Sequence, residues 1–472
     1  QGYICPKGTM LGELHHDPDR LRAPVVKGED GEFREVSWEE AFRVAAEKIQ
    51  GVTSRHGLQA LHTYIGNPAA HNFSLQRYIA AFMPMSGIES VWSPGTVDQW
   101  PKNVSSALML GDPWRMAAPD VDRCDHLLVV GANPHASQGS LLAASDLLSR
   151  LDAIRERGGE VIVVDPRRTG TCDHATEWVP IRPGTDAAFM MALCHVIFRE
   201  GLDSLGSMEG KVDGLEAMRE WARDWPPERV ASTCGIPVET IERLARELAG
   251  AEHAAVYARI GTCNQEFGTL ASWLTDVLNV ITGNMDREGG AMFGKPIAWS
   301  LLNLPDPQYA DGFSFGRWKS RVSGYPEVLG QFPVSCLAEE IETPGDGQVK
   351  GLIIIAGNPV ISSPGADRLE AVLPELECLV AIDLYVNETT CHADVIFPAL
   401  SPLEQPHYDE LIWSWAIRSG GNFSPAIFDP AEGAYAEWQI LLMLAAICQG
   451  ADPATVDIDQ IDGLFYGGLV AG

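Results

Sequence analysis

Four short apolar runs punctuate the chain: Leu127-Leu128-Val129-Val130, Val161-Ile162-Val163-Val164, Leu352-Ile353-Ile354-Ile355 and Leu379-Val380-Ala381-Ile382. None alternates with polar residues, so both faces of each would be buried, as in a parallel sheet covered by helices. Stretches of helical period lie between the members of each pair, at 141–156 and around 367–374, the first stopping at Gly158-Gly159. Residues 1–36 are polar and loop-rich. Ser37-Trp38-Glu39-Glu40 then opens an amphipathic helix to about Ile49, with Ser37 as N-cap and Glu40 at the capping-box position. Residues 291–350, rich in Gly and Pro, read as irregular loops.

The two pairs share one order: strand, Gly-(Ala)-Asn-Pro, helix, strand, Asp. It runs through Gly131-Ala132-Asn133-Pro134 to Asp165, and through Gly357-Asn358-Pro359 to Asp383. This weak internal repeat predicts two related α/β domains, each a doubly wound parallel sheet with one nucleotide-binding edge.

Length agrees with that division, since 472 residues exceed one simple core. The formal net charge of −30 disfavours nucleic acid and anionic membrane surfaces as partners. No run of 18 apolar residues predicts a membrane span, and no signal peptide is visible. The ten cysteines are dispersed without a C-x-x-C pair, which argues for free thiols rather than a disulfide framework.

An anionic ligand on so acidic a chain needs backbone N–H groups and a few placed arginines. Gly131 and Gly357 permit close backbone approach, and Asp165 and Asp383 end the following strands, where a carboxylate can accept from ribose hydroxyls or a guanine N–H edge. Alone, each turn is ordinary for an α/β sheet; the duplication gives it weight. Asp165-Pro166-Arg167-Arg168-Thr169 sets two arginines and a hydroxyl past a buried strand, a combination suited to pyrophosphate or to a solvated loop. Arg182-Pro183-Gly184-Thr185-Asp186 precedes a helix starting near Ala187, with Thr185 and Asp186 as caps or dinucleotide contacts. Ser137 and Gly261 complete this set.

Cys5 stands in Cys-Pro-Lys-Gly, a setting common at iron–sulfur ligands, with Lys7 beside it. Ser93 lies in a Ser-Pro-Gly turn, where a serine either caps a helix or ligates a hard metal; Asp98 and His62 are nearby competitors. His15-His16 and His195 lack metal-ligand spacing, and Met83, Met85, Met190 and Met191 read as core.

In this order the residues resemble the molybdopterin oxidoreductase family, which includes dimethyl sulfoxide reductase, periplasmic nitrate reductase and formate dehydrogenase. The likeness runs from Gly2-Tyr3-Ile4-Cys5-Pro6-Lys7-Gly8 through the segments just quoted and Thr282-Gly283-Asn284 to Glu388-Thr389-Thr390 and Ala393-Asp394-Val395-Ile396-Phe397-Pro398. It implies a bis-molybdopterin guanine dinucleotide with molybdenum or tungsten. Gly131, Asn133, Ser137, Asp165, Arg167, Arg168, Thr169, Gly184, Thr185, Asp186 and Gly261 would serve one dinucleotide, and Gly357, Asn358 and Asp383 the other. Cys5 would be the last of four ligands to a [4Fe–4S] cluster, the other three preceding this chain, and Lys7 would lie on the electron path. Ser93 matches the metal-ligating serine of the oxide reductases, with Asp98 second. The formate dehydrogenases' Cys or selenocysteine followed by His is missing, as is their arginine in the stretch Thr269–Leu274.

The domains expected from the resemblance are an iron–sulfur remnant (1–20 and 401–472), one α/β domain (21–88 and 291–400) and a second (89–290), around a cofactor cleft. The sequence opens inside a motif without Met and stops before the family's C-terminal barrel-like domain, so truncation at both ends is expected. The implied activity is a two-electron oxidation or reduction of a small molecule, with a partner subunit or redox protein taking the electrons. The cytoplasm is the expected compartment, the periplasm the alternative. Two rivals stand: a metal-free relative serving a respiratory complex as a structural or electron-transfer subunit, and a plain mononucleotide-binding module.

Overall fold

The structure, a computed structural model, describes Ile4, residues 6–295 and residues 314–471. Its strands in chain order are β1 (Val25–Lys27), β2 (Phe33–Glu35), β3 (Leu61–Ile65), β4 (Val91–Trp92), β5 (Ala117–Pro119), β6 (His126–Val130), β7 (Glu160–Val164) and β8 (Glu177–Val179). There follow β9 (Ala254–Ala258), β10 (Ala291–Phe293), β11 (Phe315–Lys319), β12 (Pro326–Val328), β13 (Gln331–Phe332), β14 (Gly351–Ile355), β15 (Cys378–Asp383) and β16 (Val395–Pro398). The described residues divide into two compact units, one over 98–295 and 410–421, the other over 7–97, 314–409 and 422–471.

The first unit holds a parallel sheet in the order β8-β7-β6-β9. Consecutive side chains of a strand point to opposite faces. Leu128, Val130, Ile162 and Val164 therefore pack with helices Asp186–Arg199, Val238–Gly250 and Gly268–Ile281. Leu127, Val129, Val161 and Val163 pack on the other face with helix Leu147–Glu156. Full burial of each such side chain contributes roughly 1.5–3 kcal/mol.

The second unit is built around a ten-stranded sheet. Its core, β13-β4-β3-β14-β15-β16, is parallel; β1 and β2 extend one edge antiparallel, and β12 and β11 the other. Ile353, Ile355, Val380 and Ile382 face helices Trp38–His56 and Glu437–Cys448, while Leu352, Ile354, Leu379 and Ala381 face helices Leu337–Glu342 and Ala366–Val372. Helices on both faces make each sheet doubly wound, as the uninterrupted apolar runs predict.

Three local readings change. Ser37 Oγ does accept from Glu40 N (3.2 Å), but the Glu40 carboxylate turns to Arg43, and the helix continues to His56, ending at Gly57 with φ 81°. The predicted helix over 141–156 begins only at Leu147. Upstream, Ala143 hydrogen-bonds Trp415 and Ile417 through its backbone, and Gln138, Leu141 and Asp146 have positive φ, so tertiary pairing takes the groups a helix would use. Residues 296–313 of the stretch 291–350 lie outside the described residues; the remainder includes the short strands β10 to β13, and Leu329 and Gly330, with φ 52° and 76°, turn β12 into β13 over a buried Glu327 that accepts from Gly330 N and Arg317 N. Among the described residues no helix is long and apolar enough to cross a membrane.

Candidate functional site

Ligands of open α/β sheets bind beyond the carboxyl ends of the strands, where strand order reverses. In the first unit the chain passes from β6 outward to β7 and β8, then returns to place β9 on the other side of β6. In the second it passes from β3 to β4 and later places β14 on the other side of β3. A pair of glycines marks each reversal. Gly131, after β6, has φ 56°, and a Cβ there would come within 2.9 Å of Thr262 N; one on Gly261, after β9, would come within 2.7 Å of Gly131 O. Gly66 and Gly357, after β3 and β14, form the other pair: a Cβ on Gly66 would fall 1.8 Å from Ala356 O. Both strand ends thus bring backbones together where side chains would block them.

Beyond each glycine pair stands the same hydrogen-bonded device. Asn133 (φ −126°, ψ 75°) and Asn358 (φ −123°, ψ 74°) adopt one conformation. Thr171 Oγ1 donates to Asn133 Oδ1 at 2.7 Å and accepts from His135 N at 3.1 Å. Thr389 Oγ1 donates to Asn358 Oδ1 at 2.6 Å and accepts from Val360 N at 3.1 Å. Asn358 also donates its Nδ2 to Glu388 (2.8 Å). Neither threonine's role was apparent in the sequence. The signal was a second repeat, Thr171-Cys172-Asp173-His174-Ala175 against Thr389-Thr390-Cys391-His392-Ala393. Gly66 was overlooked because β3, with His62, Thr63 and Tyr64, is not a plain aliphatic run.

In the first unit the structure brings Asp165 close enough to Asp186 for their charges to interact. Burial raises both carboxyls, Asp186 to about 6. Gln265 Nε2 donates to Asp186 Oδ2 at 3.0 Å, leaving Gln265 Oε1 buried without a partner among the described residues. That oxygen is the nearest heavy atom to the position a Cβ would take on Gly184 (3.9 Å). Thr185 precedes helix Asp186–Arg199 without capping it, donating instead to Arg182 O at 2.7 Å. Arg167 donates its backbone N–H to Asp165 Oδ1 (2.8 Å) and its side chain is exposed; Arg168 pairs with Asp173 at the surface. Thr169 is buried at the head of the turn Gly170–His174, and exposed Ser137 accepts from Gly139 N. In the second unit Asp383 accepts from Leu384 N (2.7 Å), Tyr385 N (3.3 Å) and Asn387 Nδ2 (3.2 Å), and burial raises its pKa.

The candidate metal ligands differ in availability. Ser93 is buried, its Oγ donating to Gln331 Oε1 and accepting from Gly95 N. Asp98 makes no hydrogen bond or ion pair among the described residues; crowding by protein raises its carboxyl although one side is open to solvent, and the Arg259 charge opposes that rise. His62 is occupied: Trp92 Nε1 donates to its Nδ1 at 2.9 Å and its Nε2 meets Gln59 O at 3.1 Å. Lys7 is exposed on the turn of helix Pro6–Thr9, and Cys5 lies outside the described residues. His15 stacks on Phe428, His195 Nδ1 meets Ala222 O at 2.9 Å, and Met190 and Met191 are core.

A model of the molybdopterin oxidoreductase family matches residues 20–445. The chain belongs to that family. It is 27% identical over 417 residues to the F420-dependent formate dehydrogenase subunit alpha of Methanocaldococcus jannaschii, covering 84% of this chain and 58% of that one. It is 25% identical over 460 residues to the thiosulfate reductase molybdopterin-containing subunit of Salmonella typhimurium, covering 93% and 58%. The chain therefore spans under two thirds of the length of either relative. Among solved structures, acetylene hydratase from Pelobacter acetylenicus shares the fold with a TM-score of 0.78 at 21% identity, covering 95% of this chain and 64% of that one.

Proposed function

We propose that the chain is the dinucleotide-holding part of a molybdenum or tungsten oxidoreductase subunit, each of its units cradling one pterin guanine dinucleotide. The observation that carries this reading is the duplication itself: a glycine pair at each reversal of strand order, followed by the same Asn-Pro turn locked by a threonine. A duplicated cradle suits a ligand with two like arms.

The residues present fit those arms. The glycine pairs leave room for an anionic chain at the backbone. Asp165, Asp186 and the partnerless Gln265 Oε1 form an acceptor set, which complements the N–H-rich edge of guanine. Asp383, with its three N–H donors fixing both oxygens, is the corresponding acceptor in the second unit. Arg167 and Thr169 would meet the pyrophosphate in the first unit.

When bound, the metal and its pterins supply two-electron redox chemistry. For the protein's ligand to the metal, its lack of hydrogen bonds supports Asp98 ahead of Ser93, whose hydroxyl must first release Gln331. Cys5 would be one thiolate ligand of a [4Fe–4S] cluster. Lys7 would then hold a positive charge beside that cluster, and a partner protein would accept the electrons.

The test is to express the chain in a host that makes the pterin guanine dinucleotide. Acid release of about two guanosine monophosphates and two fluorescent oxidised pterins per bound metal supports the reading. Protein that is folded, metal-free and pterin-free under those conditions overturns it.

A further inference from the structure

Two arginines are buried among the described residues, Arg20 and Arg259. Arg20 is neutralised by Glu404 at 3.2 Å. Arg259 has no ion pair among the described residues, and its Nε and Nη1 are buried without any hydrogen-bond acceptor, though its side chain belongs to a residue only 9% exposed. A buried guanidinium left in that state is costly, because its lost hydration is repaid by nothing. Arg259 follows β9 directly, two residues before Gly261, at the reversal of strand order in the first unit. Its backbone is held in an extended conformation (φ −135°, ψ −154°), with its carbonyl accepting from Thr262 Oγ1 at 2.8 Å, while its Nε and Nη1 stay unpartnered among the described residues. The carboxylate of Asp98 lies within electrostatic reach but forms no hydrogen bond or ion pair with it.

We infer that Arg259 is an oxyanion receptor, its Nε–H and Nη1–H taking two oxygens of an anion that enters at the carboxyl end of β9. Two sources offer that chemistry: a phosphate of the dinucleotide arm, or a free oxyanion serving as substrate. Either assignment lies outside the Gly-x-Asn-Pro and Asp-Pro-Arg-Arg segments. The second would give this chain a substrate-binding arginine at the end of β9.

The test compares the wild-type chain with Arg259→Gln and Arg259→Lys. In cofactor-free protein, Arg259→Gln melts at or slightly above wild type, by up to about 2 °C, because an uncompensated charge is removed. Inorganic pyrophosphate and nitrate are titrated separately. Whichever oxyanion raises the wild-type melting midpoint does so by less than half as much in Arg259→Gln, and Arg259→Lys keeps part of the effect. In protein from the pterin-making host, a several-fold loss of bound pterin in Arg259→Gln identifies the dinucleotide phosphate as the source. Unchanged pterin with loss of nitrate binding to the loaded protein identifies a free oxyanion. The inference is overturned if cofactor-free Arg259→Gln melts well below wild type, which marks a structural guanidinium. It is also overturned if the variant retains wild-type pterin content and wild-type responses to both anions. Wild-type protein empty of pterin would sink the proposed function but leave the anion titrations on cofactor-free chain decisive for Arg259.

Discussion

Thr389 donates its hydroxyl to Asn358 Oδ1 at 2.6 Å while the same oxygen accepts from Val360 N, so one side chain fixes both the amide orientation and the turn that follows it. Thr171 does the same to Asn133 and His135 in the other unit. Thr389→Val keeps the shape and removes both bonds, leaving the Val360 N–H unpaired. We expect a loss of about 1–3 kcal/mol in urea denaturation and a several-fold drop in retained pterin. Thr171→Val should act alike; a variant that keeps full stability would show that the turn does not depend on this hydroxyl.

The glycine pairs should tolerate no side chain. Gly66→Ala places a methyl 1.8 Å from a backbone oxygen, and relieving that overlap means moving β3 against β14. A cost of about 3 kcal/mol or more is expected from overpacking. Gly131→Ala adds the strain of a positive φ to its own contact. Gly12→Ala is the control: nothing lies within 4 Å, the site is in helix Leu11–His16, and the change should be neutral or mildly stabilising. Thermal melts of the three variants give the ranking.

Asp186 gives a pH signature. Burial holds its carboxyl at about 6 instead of the ordinary 3.8. The folded protein therefore binds more protons than the unfolded chain between those values, and stability falls as pH rises from about 4 to 6, then stays level. The ceiling is about 3 kcal/mol. Asp186→Asn should remove this slope, gaining stability over wild type above pH 6; equal slopes in both proteins would count against the burial argument.

His62 has the opposite sign. Burial lowers it to about 4 from 6.5, and Trp92 Nε1 donates to its Nδ1. Here the unfolded chain binds more protons, so this contribution is whole above pH 6.5 and declines as pH falls toward 4, by at most about 3 kcal/mol. His62→Gln should flatten that decline at the expense of a constant loss. Trp92 directly precedes Ser93, so fluorescence of the indole offers a second readout.

Metal content separates the candidate ligands. Asp98→Asn is expected to lower bound molybdenum or tungsten several-fold, and Ser93→Ala to lower it less, because Ser93 Oγ already serves Gln331 and Gly95. Elemental analysis of both variants decides, and the reverse order would restore Ser93.

Much of the scaffold was legible because four aliphatic runs encode strands buried on both faces, and each lies inside an observed strand, β6, β7, β14 or β15. The strand β4 was not, since two residues, Val91 and Trp92, carry no periodicity; only pairing with β3 and β13 defines it. The loop reading misled over the described residues 314–350 for a related reason: composition marks turns but not the short strands between them. The Asn-Pro turns were visible, whereas Thr171 and Thr389 were not, because each acts on a turn far upstream in the chain. Arg259 had no motif at all; what marks it is that both its buried Nε and its buried Nη1 have no hydrogen-bond partner among the described residues.

The segment 98–295 lies between β4 and β14 in the chain, although β14 pairs with β3. On a ribosome, the first unit's main segment is complete while the second unit's central strand still lacks its neighbour. That half-made sheet waits with an open edge, and long-range pairing of this kind is slow and prone to aggregation. The second cradle, which needs Gly66 against Gly357, can exist only once β14 and the turn after it have been synthesised. Any ligand that engages both cradles must therefore wait until synthesis has passed Gly357.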